Sequence, residues 1–198
     1  MLFLITNRKI IKKGTFIEVI KKAVAGGVEG VILREKDLTY DELLPIAQEI
    51  KKITKEKNIL LIINRNLEVA KTVGAEGFHI GFHDLMIGKP DWEGRLGVSV
   101  HSLEEAILAE KNGADYLLAS HVYATDCKKG LAPRGVNFIK EIKENVNIPV
   151  IALGGINPEN TREVLSTGIE GIAVMSSIMA VEDPCAAAQM FKNKIGSV

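Results

Sequence analysis

General acid–base chemistry near neutrality is best served by imidazole, and the chain has four histidines, at positions 79, 83, 101 and 121. His121 is the best placed of them. It follows the apolar run Tyr116–Ala119 and precedes a stretch, Val122 to Gly135, long enough to fold over a ligand. His79 lies inside another apolar run, so packing in an interior competes evenly with a chemical role. His101 precedes Ser102 at a helix start, where an exposed or helix-packed ring is expected, and the role of His83 beside Asp84 stays open. Cys127 shares its loop with His121 but belongs to no Cys/His/Asn pattern, so it reads as an incidental thiol. No serine stands in a nucleophile elbow and no His/Cys group has zinc-ligand spacing, which disfavours covalent and zinc chemistry.

A second set of residues suits anions. Gly154-Gly155-Ile156 leads into a helix and Met175-Ser176-Ser177 opens another, so both present backbone N–H groups of the kind that bind phosphate. Arg34 and Lys36 flank Glu35 at the end of an apolar run, and Lys128 and Lys129 lie in the loop after His121, where either pair could meet a carboxylate or phosphate. Asn64 could hydrogen-bond a ring nitrogen or only cap a strand. A phosphorylated small molecule is therefore the expected ligand.

These residues need a scaffold that gathers them at one end. Short apolar runs at Leu2–Thr6, Gly30–Leu33, Ile59–Ile63, Gly77–Ile80, Arg95–Ser99, Tyr116–Ala119, Pro149–Leu153 and Gly171–Met175 alternate with amphipathic segments. Eight strand-then-helix units predict an α/β fold, the (β/α)8 TIM barrel, with its site at the carboxyl ends of the strands. Thr39-Tyr40-Asp41-Glu42 and Ser102-Leu103-Glu104-Glu105 read as capping boxes, and Asn157-Pro158 and Asp183-Pro184 as N-caps followed by proline. A weak repeat, Gly-x-acid, precedes the even strands at Gly27-Val28-Glu29, Gly74-Ala75-Glu76, Gly113-Ala114-Asp115 and Gly168-Ile169-Glu170. It reads as loop chemistry at the end of the barrel away from catalysis.

Composition narrows the partners. The 198 residues are 46% hydrophobic and 25% charged, and no Ser/Gly-rich linker interrupts them, so one domain spanning 1–198 is expected. Lys+Arg 25 balances Asp+Glu 25, leaving no basic field for nucleic acid or anionic lipid. The N-terminus lacks a signal-peptide pattern, no apolar run is long enough to span a bilayer, and two cysteines do not make a disulfide scaffold. The expected setting is cytoplasmic, with no membrane or nucleic-acid partner; pairing into a homodimer through outer helices is open.

The stretch from Gly97 to Gly135, GVSVHSLEEAILAEKNGADYLLASHVYATDCKKGLAPRG, closely resembles the thiazole tautomerase (TenI-type) branch of the thiamine phosphate synthase family. Leu33-Arg34-Glu35-Lys36, Ile63-Asn64, Gly81 through Asp84, Pro149 through Ile156 and Gly171 through Ile178 fall in family order at family spacing. The synthases, as the resemblance implies, join a hydroxymethylpyrimidine diphosphate to thiazole phosphate, with magnesium held by carboxylates over the diphosphate. This chain departs from them: Asn64-Arg65-Asn66 stands where they read Asn-Asp-Arg, Phe82 replaces a glutamine, and Ser120-His121 replaces Gly-Pro. The tautomerase resemblance implies isomerisation of a dearomatised carboxythiazole phosphate to its aromatic form, with His121 moving the proton. The substrate carboxylate would pair with Arg34, Lys36 or Lys128, Asn64 would lie near the ring, and Gly154, Gly155, Ser176 and Ser177 would hold the phosphate. No metal or other cofactor is expected. Thiamine phosphate synthesis is the alternative, and a non-catalytic phosphate-binding regulator a third reading.

Overall fold

Each apolar run is too short for a stable helix and is rich in Val, Ile and Leu, so it gains most as a parallel strand covered on both faces. The computed structural model, which describes residues 1–125 and 130–196, contains eight such strands. They are β1 (Leu2–Ile5), β2 (Gly30–Leu33), β3 (Leu60–Asn64), β4 (Gly77–Gly81), β5 (Arg95–Val100), β6 (Tyr116–Ser120), β7 (Val150–Leu153) and β8 (Gly171–Val174). All neighbours pair in parallel and β1 closes on β8, making the expected (β/α)8 barrel. Strand limits differ from those expected by a residue or two, as at β3, which starts at Leu60 and runs on through Asn64.

Helices follow every strand: α1 (Phe16–Ala25), α2 (Tyr40–Glu56), α3 (Leu67–Val73), α4 (Phe82–Ile87), α5 (Leu103–Lys111), α6 (Gly135–Asn145), α7 (Thr161–Leu165), and finally α8 (Ser176–Met179) with α9 (Pro184–Ile195). The Thr39 capping box closes as expected, and a further one closes between Thr15 and Glu18. The Ser102 box does not close. Ser102 accepts from the Glu105 N–H, but the Glu105 carboxylate accepts from the His101 N–H at 2.6 Å instead of reaching back to residue 102. The Asn157-Pro158 start is displaced as well: Asn157 and Asn160 exchange side-chain-to-backbone bonds of 2.9 Å, which makes a turn of the segment, and α7 begins only at Thr161. Asp183 caps α9 as expected, accepting from the Cys185 and Ala186 N–H groups.

The Gly-x-acid repeat does more than turn the chain. Gly27, Gly74, Gly113 and Gly168 all have positive φ, which glycine adopts without a Cβ penalty. The carboxylate two residues on then accepts an N–H from the first or second residue of the neighbouring odd strand: Glu29 from Leu2 at 2.9 Å, Glu76 from Leu61 at 2.9 Å, Asp115 from Leu96 at 2.7 Å and Glu170 from Val150 at 2.8 Å. Each satisfies a donor at the start of a strand, so four similar stitches hold the amino end of the barrel.

Inside the barrel, residues alternate inward and outward along each strand. Phe3, Ile5, Ile32, Ile62, Tyr116, Leu118, Ile151 and Ala173 form the interior cluster, while the larger core lies between strands and helices. Glycines make room for the big side chains: a Cβ on Gly30 would lie 2.5 Å from the Phe3 ring, and one on Gly97 would lie 2.0 Å from the Tyr116 ring. No described helix is long and apolar enough to cross a membrane.

Candidate active site at the carboxyl ends of the strands

The cavity at this end measures about 880 Å³ including its open mouth, within the range of small-molecule sites. It is built by strand ends. Arg34 follows β2, Asn64 ends β3, His79 and Ser99 point in from β4 and β5, Ser120 and His121 end β6, Gly154 and Gly155 follow β7, and Met175 to Ser177 follow β8. Ile5, Ile32, Leu118, Leu153 and Ala173 make an apolar floor. Of the residues expected from sequence, Arg34, Asn64, His121, Gly154, Gly155, Ser176 and Ser177 therefore meet around one space. Lys36 does not join them; it lies three residues past the end of β2 and lines a more open neighbouring recess with Glu35, Arg65 and Asn66. Lys128, Lys129 and Cys127 lie outside the described residues.

On the β7–β8 side, Gly154 and Gly155 have φ of +108° and +66°, which lets the chain turn under His121. Ser177 donates its hydroxyl to the Ile156 carbonyl at 2.9 Å, joining the loop after β7 to the first turn of α8. That turn's leading N–H groups have no intrahelical acceptor, which suits an anion. His121 is 4% exposed and its Nε2 lies 3.4 Å from the Leu131 carbonyl, so its ring forms a wall of the cavity under the loop that follows. That loop is fixed by Val122 N–H to the Leu153 carbonyl, 3.1 Å, and Tyr123 N–H to that of Gly154, 3.0 Å. Burial, then Glu163 at 2.7 Å, pushes the Tyr123 hydroxyl up to about 12, so it remains a donor.

On the β2–β5 side, Glu35 proves structural. It is buried, accepts from the Thr6 hydroxyl at 2.8 Å and pairs with Arg8 at 2.9 Å, while Thr6 accepts from the Arg34 N–H at 2.9 Å. This clamp ties the ends of β1 and β2 together beneath Arg34 and engages Arg8 at the mouth. Asn64 donates to the His79 carbonyl at 3.1 Å, tying the end of β3 to β4, and also lines the cavity. His83 is exposed on α4, and His101 pairs with Glu105 beside α5, as its position before a helix implied.

His79, Ser99, Ser120, Thr125 and Met175 complete the lining. Ser99 and Ser120 are legible as polar strand-end residues and Met175 as the start of the Ser176-Ser177 turn, whereas Thr125 carries no signal of its own in the sequence. Burial, with the positive charge of Arg34 nearby, lowers His79 to about 3, so its ring is neutral.

Fold and cavity define the class first: a (β/α)8 barrel with a polar, amide-rich site at its carboxyl end. The chain belongs to the thiamine monophosphate synthase family, whose model matches residues 2–178. It is 42% identical to the thiamine-phosphate synthase of Clostridium tetani over 92% of this chain and 89% of that one. It is also 42% identical to the thiamine-phosphate synthase of Desulfitobacterium hafniense strain Y51, over 95% of this chain and 93% of that one. Among solved structures, thiamine phosphate pyrophosphorylase from Pyrococcus furiosus superposes with a TM-score of 0.88 at 35% identity, covering 99% of this chain and 95% of that one. These relatives overturn the thiazole tautomerase expected from the His121 loop and from the replacements at Arg65 and Phe82: across nearly the whole chain they are named thiamine-phosphate synthases.

Proposed function

We propose that this chain is a thiamine-phosphate synthase, joining a pyrimidinylmethyl diphosphate to a thiazole phosphate and releasing pyrophosphate. The observation that carries the reading is a single cavity that brings Arg34 and the amide-rich loops after β7 and β8 together over an apolar floor, in a chain whose relatives bear that name. Two phosphorylated substrates can then meet with their rings over Ile5, Ile32 and Leu118 and their charges at separate parts of the wall.

In this reading the amides around Gly154, Gly155, Ser176 and Ser177 take the thiazole phosphate, and Arg34, with Lys36 from the adjoining recess, attracts the diphosphate. The thiazole nitrogen supplies the electron pair that forms the new C–N bond to the pyrimidine methylene, and the breaking C–O bond leaves its pair on the diphosphate. A cation at the diphosphate stabilises that departing charge more than the ground state. Holding both reactants in one cavity supplies proximity. No proton moves between ring carbons in such a transfer, so His121 serves as a polar wall against the thiazole phosphate and not as a proton carrier.

The residues present do not fit the magnesium that the family resemblance implies. Asp84, the carboxylate left in that region, is gripped by Arg65 through contacts of 2.8 to 3.2 Å and also accepts the Gly81 N–H. Burial works against its charge, but Arg65 and that N–H together hold it below the usual carboxylate range. Glu35 is enclosed by Thr6 and Arg8, and among the described residues no three metal-ligating side chains converge. A divalent ion wants carboxylate oxygens with room around them; a guanidinium occupies that room.

The reading is tested by incubating the protein with both substrates, with and without Mg²⁺, and following thiamine phosphate. Enzyme-dependent product supports it. No product above buffer under either condition removes it.

A further inference from the structure

Beneath the cavity runs a hydrogen-bonded line that the transfer reaction does not itself require. The Tyr116 hydroxyl lies 3.0 Å from His79 Nδ1, and His79 Nε2 lies 2.8 Å from Ser99 Oγ. The line crosses three strands, since His79 on β4 is in register with Gly97 on β5, and Gly97 with Tyr116 on β6. Only the missing side chain of Gly97 lets the tyrosine ring pass over β5, because a Cβ there would lie 2.2 Å from the Tyr116 oxygen.

The direction of each bond follows from the inventory of donors. Tyr116 is 8% exposed, and burial holds its hydroxyl far above the ordinary tyrosine range, so it keeps its proton. Among the described residues its hydroxyl is hydrogen-bonded to His79 Nδ1, and a buried O–H that gave its proton to nothing would be costly. Tyr116 therefore donates and Nδ1 accepts. His79 is 2% exposed and neutral, so its single ring proton sits on Nε2 and is donated to Ser99 Oγ. With that oxygen already accepting, the Ser99 proton is left to point into the cavity.

We propose that Tyr116 and His79 are positioning residues that fix the Ser99 hydroxyl as a hydrogen-bond donor to a bound substrate. The recipient is a lone-pair acceptor on the molecule held at the β2–β5 side, a heterocyclic nitrogen or diphosphate oxygen of the pyrimidine substrate. That identification rests on the proposed transferase reading; the tautomer of His79 does not.

Two measurements test it on the whole chain. Side-chain nitrogen NMR, with the His79 signal assigned by its loss in His79→Gln, should show protonated Nε2 and bare Nδ1 in the free protein. A protonated Nδ1 or a charged ring at neutral pH overturns the proposal. Calorimetric binding of the pyrimidine diphosphate alone should weaken about three- to tenfold in Tyr116→Phe and in Ser99→Ala, the value of one hydrogen bond. The double variant should be no worse than Ser99→Ala, because Tyr116 acts through Ser99. Additive losses would make Tyr116 merely structural and refute the relay. His79→Gln, whose carboxamide can accept from Tyr116 and donate to Ser99, should keep tighter binding than His79→Leu; equal losses argue against it. If the wild type binds no pyrimidine diphosphate, the transferase reading fails, and the His79 tautomer alone decides the relay.

Discussion

Replacing Gly154 by alanine probes whether the turn after β7 must be glycine for the site to form. At φ +108° an L-residue is strained, at about 1–3 kcal/mol. The new Cβ would also sit 2.4 Å from His121 Cβ, 2.8 Å from His121 Cα and 3.2 Å from Val122 N, where carbon atoms prefer about 3.5–4.0 Å. These are backbone atoms or atoms fixed to it, and the strand end cannot simply swing away because Val122 and Tyr123 are bonded to Leu153 and Gly154. Overpacking of this kind costs about 1–3 kcal/mol. Together the terms come to about 3 kcal/mol, or a melting temperature lower by roughly 6–12 °C for a chain of this size. Differential scanning calorimetry would measure that shift, and calorimetric titration with thiazole phosphate would measure the accompanying loss of affinity as the Gly155 N–H and His121 move. A melting point within about 2 °C of wild type together with unchanged affinity would refute the reasoning.

Glu170→Ala removes the acceptor of the Val150 N–H and the partner of Lys143. For this partly exposed group we expect about 1.5 kcal/mol of destabilisation, seen as a melting temperature roughly 3–6 °C lower, with substrate affinity unchanged because the stitch lies at the opposite end of the barrel. The neutral burial of His79 carries a pH signature. Its folded pKa of about 3 lies below the ordinary histidine value of 6.5, so the unfolded chain binds the extra proton, and this contribution to stability is intact above about pH 6.5 and lost as pH falls toward 3. Chemical unfolding of wild type should steepen over that window relative to His79→Gln by about 1.4 kcal/mol per pH unit; parallel curves would mean that His79 is charged or exposed. Arg65→Asp frees Asp84 and sets a second carboxylate beside it, so isothermal titration with Mg²⁺ should detect binding in the variant and none in wild type. Equal binding in both would show that the guanidinium does not exclude the ion.

The barrel was legible because eight short aliphatic runs with amphipathic segments between them have few other ways to bury both faces. The strand ends were legible for the same reason, so Arg34, Asn64, His121, Gly154, Gly155, Ser176 and Ser177 fall near one mouth on sequence alone, and they line one cavity. What failed were properties set by pairing across the structure. Glu35 looked like a spacer between two cations and is a buried clamp for Thr6 and Arg8, residues 29 and 27 positions away. The Gly-x-acid repeat does lie at the end of the barrel away from the cavity, as its loop chemistry implied, but that its carboxylates stitch neighbouring strands together across that rim was not legible. His79 could not be resolved from sequence because the space that lets Tyr116 reach it is a missing side chain on a third strand.

The most direct test of the central claim is stoichiometry in the complete reaction. Wild-type protein, supplied with pyrimidinylmethyl diphosphate and thiazole phosphate, is predicted to form one thiamine phosphate for each pyrophosphate released, and to release none when the thiazole phosphate is left out. Pyrophosphate without thiamine phosphate, or neither product above the buffer control, would contradict it.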